Sequence, residues 1–416
     1  MSDAAGLVEH FFRHEYGRLV ARLASKVGVR HVDLIEDAVQ SSLASALTVW
    51  VAQGLPRDPG AWLHRAACNH LIGSLRLDAR RLRILEAAAH DLERADDGPA
   101  ATRFDAEVRD DLLRMLFVCC DQDIPRDSRL VLALKTLCGF STAEIALRLF
   151  TNEANVHKRL QRGRDRLREA TADGLTSPPL EALGARLPSV HEVVYLLFNE
   201  GYLSANVESA IRRELCDEAL RLATLLADHP VSAVPETFAL LALMHLHVAR
   251  FAGRVDGSGG LLLLEEQDRS LWDRERMQVG AAWLARSASG NVFSRYHAEA
   301  GIAAEHGFAP SFAETRWQEI ASLYETLERS APSPLHTMNR AVAVAEWRGA
   351  EAGLALLDGM AAPAWLTTSY QWDAVLGDLH RRAGHIEAFQ RHRERALSAA
   401  PTDAVRELLR RRLADR

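Results

Sequence analysis

The sequence predicts an all-α protein. Helical periodicity of apolar residues runs through almost the whole chain, and alternating strand patterns bounded by turn signals are hard to find. Apolar residues make up 48% and charged residues 25%, which is typical of packed cores rather than of disorder. At roughly 100–200 residues per domain, the 416 residues predict two or three domains.

Changes in composition divide the chain. Residues 7–86 are amphipathic and predict a first helical domain, and residues 87–107 are polar and predict a linker. A second small helical domain is expected over residues 108–172. The turn sequence TSPP at 176–179 then precedes a long helical region, residues 180–416.

The distribution of charge is uneven. The net charge of −6 excludes a globally basic coat for nucleic acid, and residues 1–175 carry 25 basic and 25 acidic side chains. Basic residues nevertheless cluster at Arg76–Arg83 and at Lys158–Arg168. Such stripes can follow phosphates, although each could equally be a solvated helix face.

Two classes of protein are not expected. No run of about 18 apolar residues is present and the first residues do not resemble a signal peptide, so we expect a cytoplasmic protein without a membrane partner. The five cysteines are an odd number, and none forms a C-x-x-C pair. We therefore expect reduced thiols, without disulfides, metal or cofactor.

Residues 137–169 have the pattern of a helix-turn-helix. Gly139 can end one helix, and Ser141 with Glu144 forms a capping box for the next. Asn152 is placed to cap the second helix, which Val156 and Leu160 would anchor to the core.

The polar residues of that second helix predict a surface that reads bases. Asparagine and arginine make bidentate contacts to adenine and guanine edges. The predicted exposed residues are Glu153, Asn155, His157, Lys158, Arg159 and Arg162, and Ala154 is the small residue at which the two helices would meet. The alternative is an ordinary helical hairpin.

These motifs resemble a known family. Residues 139–168 resemble region 4 of extracytoplasmic-function (ECF) sigma factors, the promoter-specificity subunits of bacterial RNA polymerase. Residues 36–40 (EDAVQ) and 59–69 (PGAWLHRAACN) resemble region 2 of the same family.

The remaining motifs resemble one subgroup that has a long TPR-like helical extension. They are residues 111–120, 195–202 (YLLFNEGY), 262–273 (LLLLEEQDRSLWD) and 339–345 (NRAVAVA). The resemblance therefore covers nearly the whole chain. It departs from the family pattern at Ser41, Ser42 and Gly73, and the subgroup's Cys-Cys-His reads Cys-Cys-Asp at 119–121.

The resemblance implies roles for particular residues. Asp37 and Gln40 would dock on core RNA polymerase, and region 4 would read the −35 element in the major groove. The −35 contacts would come from Asn152, Glu153, Asn155, His157, Lys158, Arg159 and Arg162, with Arg166 on phosphate. The −10 element would be bound and melted by the loop from Trp50 to Arg57 with Arg65, Asn69 and Arg76. Trp62 is expected in the core, whereas Trp50 is left open.

The extension shows repeat character. Leu376–Gly377, Gly384, Ala396 and Pro401 have the spacing of one degenerate tetratricopeptide unit, and Gly349 lies 35 residues before Gly384. Stacked helical hairpins would leave a groove for a protein or peptide ligand. The alternative is a helical body that only packs on the DNA-binding part.

Several other fragments carry weaker signals. The sequence HEVVY at 191–195 lacks the second histidine of a zincin, His245 and His247 point to opposite sides of a helix, and DGSGG at 256–260 lacks the lysine of a P-loop. We therefore expect no enzyme.

Two acidic fragments of the extension could belong to a site. Glu265, Glu266, Asp268 and Arg269 could line a ligand pocket or form a helix start with local ion pairs. Asn199, Glu200, Gly201 and Tyr202 could form an interdomain, regulatory contact or a turn in which Gly201 takes a positive φ.

Together, these features predict a cytoplasmic sigma factor with three parts: region 2, a region 4 helix-turn-helix domain and a TPR-like regulatory extension. The partners would be core RNA polymerase, promoter DNA and a ligand of the extension. The extension could inhibit the DNA-binding part or be needed for its activity, and both modes of regulation require contact between residues 1–175 and residues 180–416. The alternative function is a non-initiating DNA-binding regulator or polymerase-binding protein, which Ser41, Ser42 and Gly73 favour.

Overall fold

The computed structural model describes residues 2–76, 111–149, 151–170, 180–203, 211–256 and 260–414, without the side chains of 2–14, 76, 170 and 180–182. Regular structure in these ranges is helical, apart from one isolated antiparallel bridge between Val255 and Leu261. The predicted all-α class is confirmed. The chain divides into two compact units, one of residues 1–197 with 217–232 and one of residues 198–216 with 233–416.

The N-terminal unit contains two groups of helices. The first group, here called the α1–α3 bundle, consists of α1 (Ser2–Val27), α2 (Val32–Gln53) and α3 (Pro59–Arg76). The second group consists of α4 (111–119), α5 (Arg126–Thr136), α6 (Thr142–Arg148) and α7 (Glu153–Ala170). The first part of α8 (Leu180–Tyr202) and most of α9 (Arg213–Asp228) complete this unit.

The α1–α3 bundle packs closely on the second group. A Cβ atom at Gly17 of α1 would lie 2.1 Å from the carbonyl oxygen of Leu137, so only glycine allows this approach. Two residues after Leu137, a Cβ atom at Gly139 would lie 3.3 Å from the ring of Tyr16. The two groups of the N-terminal unit therefore share one continuous packed interface.

The C-terminal unit consists of helices in succession. Its helices after α9 are α10 (Pro235–Val248), α11 (Arg274–Ser287), α12 (Arg295–Phe308), α13 (Trp317–Ser330), α14 (Pro334–Arg348), α15 (Ala350–Leu357), α16 (Ala364–Thr367), α17 (Tyr370–Arg382), α18 (Ile386–Ser398) and α19 (Asp403–Arg412). Short 3₁₀ turns at Phe251–Gly253, Leu264–Glu266 and Arg269–Leu271 connect α10 to α11.

Neighbouring helices of this unit pack as hairpins, notably α10 on α11, α14 on α15 and α17 on α18. Gly349 and Gly384 have φ values of +95° and +79°, so both lie in the left-handed region that favours glycine. Gly349 ends α14 and Gly384 lies between α17 and α18. The predicted chain reversals at these two glycines are therefore present, and Ala396 is fully buried in the second hairpin.

The turn predicted at Gly201 is wrong, because α8 continues to Tyr202 and Gly201 has no positive φ. The reason for glycine is a close approach instead. A Cβ atom at Gly201 would lie 2.7 Å from the carbonyl oxygen of Arg212 and 2.7 Å from both the backbone nitrogen and Sγ of Cys216. The start of α9 therefore lies directly against the backbone of α8.

We expect Gly201→Ala to destabilise the protein by about 1–3 kcal/mol, because the added methyl group has no room in a packed contact. Gly184→Ala on the same helix is the matched control, since nothing lies within 4 Å of its Cβ position. Alanine there should leave stability unchanged or raise it by up to about 1 kcal/mol. Thermal unfolding of both variants checks this, and equal midpoints would contradict the close approach.

Burial or partial burial holds three histidines in an uncharged form. Burial lowers the pKa of His191 to about 3 and that of His245 to about 4. Burial also lowers the pKa of His247 far below its usual value, and nearby Arg250 and Arg254 lower it further.

In the described part of the chain, no three histidine, cysteine or acidic side chains come together as a metal site.

These histidines make the fold sensitive to acid. Because their pKa values are lowered on folding, the unfolded chain takes up protons first as the pH falls below about 6.5. Stability is therefore complete above that pH and decreases toward about pH 3, by up to about 1.4 kcal/mol per pH unit for each such histidine. Urea unfolding at about pH 7.5 and pH 5 measures the decrease, which His191→Gln should reduce. An unchanged decrease in that variant would contradict the role of His191.

Candidate nucleic-acid interface

Local hydrogen bonds build the helix-turn-helix as the sequence predicts. The Ser141 hydroxyl accepts from the backbone nitrogen of Glu144 at 3.2 Å, and the Glu144 carboxylate accepts from the Ser141 nitrogen at 2.7 Å. The side chain of Asn152 accepts from the backbone nitrogen of Asn155 at 2.9 Å and so caps α7. The Thr142 hydroxyl donates to Glu153 at 2.8 Å, which ties α6 to the first turn of α7.

The inner face of α7 is apolar and rests on α5. Val156 is fully buried, and Leu160 and Leu167 are buried on the same face, as predicted for the first two. Ala154 is exposed, so the close helix contact predicted there is wrong. The close approach is at Gly163 instead, where a Cβ atom would lie 3.3 Å from the carbonyl oxygen of Ser128. Gly163 falls on the same helix face as Val156, Leu160 and Leu167, and this spacing could have predicted the close approach.

The outer face of the first half of α7 is polar and accessible. The exposed residues are Asn152, Glu153, Asn155, His157, Lys158, Arg162 and Arg166. Arg159 is partly exposed and pairs with Asp127 at 3.0 Å. Within the described ranges, no ion pair involves Lys158 or Arg162. The structure thus presents the predicted set on one helix, four of them at the spacing 155–159–162–166 that repeats on one face.

The side of α7 that carries Arg164 and Arg168 is occupied by the α1–α3 bundle. Arg164 pairs with the carboxylate of Glu36 and, at 2.6 Å, with that of Asp33. Arg168 pairs with the other oxygen of Asp33. The six basic residues at 158–168 therefore do not form one surface, because Arg164 and Arg168 face the α1–α3 bundle of the same chain.

The carboxylate of Glu36 is the centre of this contact. Its side chain is 3% exposed, and the hydroxyl of Thr136 donates to it at 2.6 Å. Burial raises the pKa of Glu36, whereas the charge of Arg164 and the Thr136 hydrogen bond lower it. Sequence reasoning placed Glu36 only within a motif and missed this role. The only signal in the sequence was that Arg164 lies four positions after Leu160, an apolar residue of the inner face. This spacing indicates that Arg164 faces inward, but it does not identify the acid that pairs with it.

The residues predicted to dock on a polymerase are accessible. Asp37 and Gln40 are exposed on α2, three residues apart and thus on one face. Their neighbour Glu36 points to the opposite, buried side. The geometry therefore leaves this pair free to contact a partner while Glu36 remains bound to Arg164.

The predicted −10 surface is present in part. Arg57, Arg65 and Asn69 are exposed, and the side chain of Arg76 lies outside the described set. Val51 and Leu55 are 87% and 71% exposed at the end of α2 and in the following loop. Sequence reasoning did not single out these two apolar residues.

Trp50 cannot serve as a stacking face in this structure. Its side chain is 8% exposed and packs edge-on against Trp62, with 5.5 Å between ring centroids. Trp50 lies four residues after fully buried Ala46 on the inner face of α2, which explains its burial. Trp62, which was expected in the core, is only partly buried, and Trp50, which the sequence left open, is the more buried of the two.

The first part of α8 lies on the helix-turn-helix group. Arg186 pairs with Asp121, and the side chain of Gln122 donates to the carbonyl oxygen of Ala185 at 2.9 Å. Arg129 donates to the hydroxyl of Ser189 at 2.9 Å. The start of the extension therefore contacts the N-terminal helices, as both predicted modes of regulation require.

Residues 199–202 lie in the C-terminal unit. Glu200 is buried, and the guanidinium carbon of Arg254 lies 3.8 Å from the ring centroid of Tyr202. Arg254 also donates to the carbonyl oxygen of Tyr202 at 2.6 Å, and the ring of His247 lies 4.5 Å from that of Tyr202. These contacts fix the end of α8 within its own unit, and an interdomain role stays a prediction.

The fragment at 265–269 forms two short turns. The Glu266 carboxylate accepts from the backbone nitrogen of Leu263 at 2.7 Å, and that of Asp268 accepts from Ser270 at 2.8 Å. Arg269 donates to the carbonyl oxygens of His306 and Ala309, both at 2.7 Å. Arg269 thus ties the turn at 269–271 to the end of α12 rather than forming a local ion pair.

Comparisons with known proteins agree with the helix-turn-helix. Residues 117–167 match the family model described as sigma-70, region 4. The chain contains a sigma-70 region 4 domain. This domain gives the protein a sigma-factor-like role in DNA binding and transcription, with RNA polymerase and promoter DNA as the partners that it implies.

Two further matches cover more of the chain. Residues 186–288 match a family of unknown function, DUF6596, which includes the motifs at 195–202 and 262–273. An uncharacterized protein of Rhizobium meliloti (strain 1021) is 35% identical over 372 residues, which cover 89% of this chain and 87% of that protein. This chain belongs to the same family as that rhizobial protein.

No solved structure matches the chain significantly. Among the described helices, none is both long and apolar enough to cross a membrane.

Proposed function

We propose that the protein is an ECF-type sigma factor, which binds core RNA polymerase and directs initiation at a specific set of promoters. The observation that carries this proposal is the region 4 domain with an accessible polar face on α7. The α1–α3 bundle supplies region 2, with Asp37 and Gln40 toward the polymerase and Arg57, Arg65 and Asn69 toward the −10 element. The protein has no chemistry of its own.

The geometry of α7 suits the −35 element. The major groove is about 12 Å wide and admits one helix. Asn155 and Arg159, with Arg162 one turn further on, follow the cap at Asn152. Glu153, His157 and Lys158 flank this row, and Arg166 lies where a phosphate contact is expected. Arg159 would exchange Asp127 for a base edge on binding.

Promoter binding requires the N-terminal unit to open. The −35 and −10 elements are ~25 base pairs apart, or ~85 Å at 3.4 Å per base pair, whereas α2 and α7 are in direct ion-pair contact. The 34 residues between Arg76 and Asp111 can span at most roughly 110–120 Å when extended. The linker is long enough, so separation of α2 from α7 is the step that lets the two surfaces reach both elements at once.

We expect Asn155→Ala and Arg159→Ala to relax the preference for the −35 sequence, since a bidentate base contact contributes about 1–3 kcal/mol. Arg166→Ala is the matched control on the same helix. It should weaken binding to all sequences equally and reduce the salt dependence of binding, since it would remove a phosphate contact. Competition footprinting with intact and altered −35 elements measures both effects. Unchanged sequence preference in both test variants would contradict the assignment of α7.

We expect Asp37→Arg to abolish binding to core polymerase, because it reverses a charge at the centre of the proposed docking face. Asp123→Arg, an equal change at an exposed acid beyond α4, is the control and should bind normally. Co-purification with core enzyme, together with circular dichroism for folding, checks the prediction. A folded Asp37→Arg variant that binds like the wild type would refute the docking role.

Run-off transcription tests the proposed function itself. Core polymerase with this protein should initiate at the region upstream of its own gene. Binding to polymerase and DNA without transcripts would support the alternative, a non-initiating regulator, which the residues Ser41, Ser42 and Gly73 favour.

We further propose that the C-terminal region regulates this activity through the contacts of α8 with the region 4 domain. These contacts include the pairs Arg186–Asp121 and Arg126–Glu192. The same run-off assay on a chain ending at Asp173 gives the sign of the regulation. Higher activity means that the contacts inhibit, and lost activity with intact folding means that they support initiation.

A further inference from the structure

Two distant motifs meet at one cleft of the C-terminal unit. Leu263–Glu266, from the segment 262–273, lines one side of it, and Asn339 with Val342 and Ala343, from the segment 339–345, lines another. Side chains of α13, α17 and the last helix, α19, complete the wall. The cleft has a volume of about 430 Å³.

We propose that this cleft binds a small organic anion that carries an aromatic ring, with its carboxylate or phosphate on Arg382 and Arg412 and its ring against Phe312, Trp317 and Tyr324. The volume lies within the range of about 300–1,000 Å³ that is typical of small-molecule sites. It is too small for a helix. This inference does not depend on the proposed sigma-factor function.

The basic end of the cleft has more donors than acceptors. Arg381, Arg382 and Arg412 share the carboxylate of Asp378, at 2.9, 3.8 and 3.6 Å respectively. Only the first distance is that of a hydrogen bond. Arg382 also pairs with Glu346, so two carboxylates face three guanidinium groups.

This imbalance selects for an anion. Each guanidinium has five N–H donors and no acceptor. Among the described residues, the contacts of Arg382 and Arg412 use only part of these donors, and the three guanidinium groups with two carboxylates carry a charge of +1. A carboxylate or phosphate would supply the missing acceptors and the balancing charge.

Two buried nitrogen atoms at the cleft also lack a partner. Nε of Arg381 and Nδ1 of His306 have no hydrogen bond within the described part of the chain. Burial, together with the charges of Arg250 and Arg269, lowers the pKa of His306 to about 3, so its ring is neutral. Buried polar groups without partners are uncommon in folded proteins, so both residues add unusual polar character to the wall of the cleft.

An aromatic wall lies beside these groups. The ring of Trp317 is edge-on to those of Phe312 and His306, with centroids 5.1 and 5.3 Å away. Tyr324 and Asn339, the first residue of the motif at 339–345, line the same cleft. These faces can stack on a planar ring.

The wall formed by Leu263–Glu266 is more acidic. Arg411 donates to the carbonyl oxygen of Leu261 and lies 3.4 Å from the carboxylate of Glu266. Glu265 is exposed on the same wall. Two carboxylates with one arginine repel an anion there, so the anionic group of the ligand lies toward Arg382 and Arg412.

Isothermal titration of the full chain tests the proposal. The probes are adenosine and guanosine monophosphates and indole-3-acetate, which represent two sources of the same chemistry, a ring with an anionic group. Inorganic phosphate is the control for the anionic group alone, and free indole is the control for the ring alone. We expect saturable 1:1 binding of at least one ring-bearing anion and much weaker binding of both controls.

Matched variants locate the binding to the cleft. Arg412→Gln should weaken the binding about tenfold, as expected for one lost charge-assisted hydrogen bond. Arg410→Gln on the same helix removes only an exposed pair with Glu407 and should bind like the wild type. Phe312→Ala should weaken the ring-bearing probe but not inorganic phosphate. Three results would overturn the proposal. They are no binding of any of the three ring-bearing probes, equal affinity of the two arginine variants, and binding of inorganic phosphate as tight as that of the ring-bearing probes.

Discussion

The buried pairing of Glu36 with Arg164 is the interaction on which the N-terminal unit depends. Glu36 lies on α2, Arg164 on α7, and Thr136 at the end of α5 donates to the same carboxylate. Three segments far apart in sequence thus meet at one charge. Removing Arg164 would leave the buried carboxylate of Glu36 without its charge partner, which typically costs about 3–5 kcal/mol. Removing Glu36 would leave Arg164 paired with Asp33. This pair therefore specifies which part of α7 faces the α1–α3 bundle.

This pairing divides the basic residues of α7 into two sets, one that holds the protein together and one that is accessible. The half with Arg164 and Arg168 holds the bundle, whereas the half with Asn155 and Arg162 remains accessible. In the proposed function, DNA does not bind Arg164 or Arg168 directly. Opening of the unit instead requires that the ion pairs of Asp33 and Glu36 with these arginines break. A partner that binds the exposed Asp37 and Gln40 next to Glu36 is well placed to bias this exchange.

Local sequence patterns predicted local structure well. The capping box at Ser141, the cap at Asn152 and the chain reversals at Gly349 and Gly384 all depend on residues a few positions apart, and the structure contains each of them. The all-α class followed from the same kind of periodicity. These features need no knowledge of what a segment packs against.

The sequence could not predict features that depend on distant partners. Gly201 reads as a turn residue, but it is required by the backbone of α9. The reading of Arg164 as part of a DNA-binding stripe missed its acid on α2, 128 residues earlier. Likewise, the motifs at 262–273 and 339–345 carry no sign that they line one cleft. In each case the deciding neighbour lies in another element.

The distance between α2 and α7 is the most direct test of this account. All five native cysteines are buried, so cysteines introduced at the exposed positions Ala44 and Gln161 can be labelled selectively with a fluorophore pair. The account predicts high energy transfer in the free protein and its loss in the complex with core polymerase and promoter DNA. High transfer that persists in a transcribing complex, or low transfer in the free protein, would contradict it.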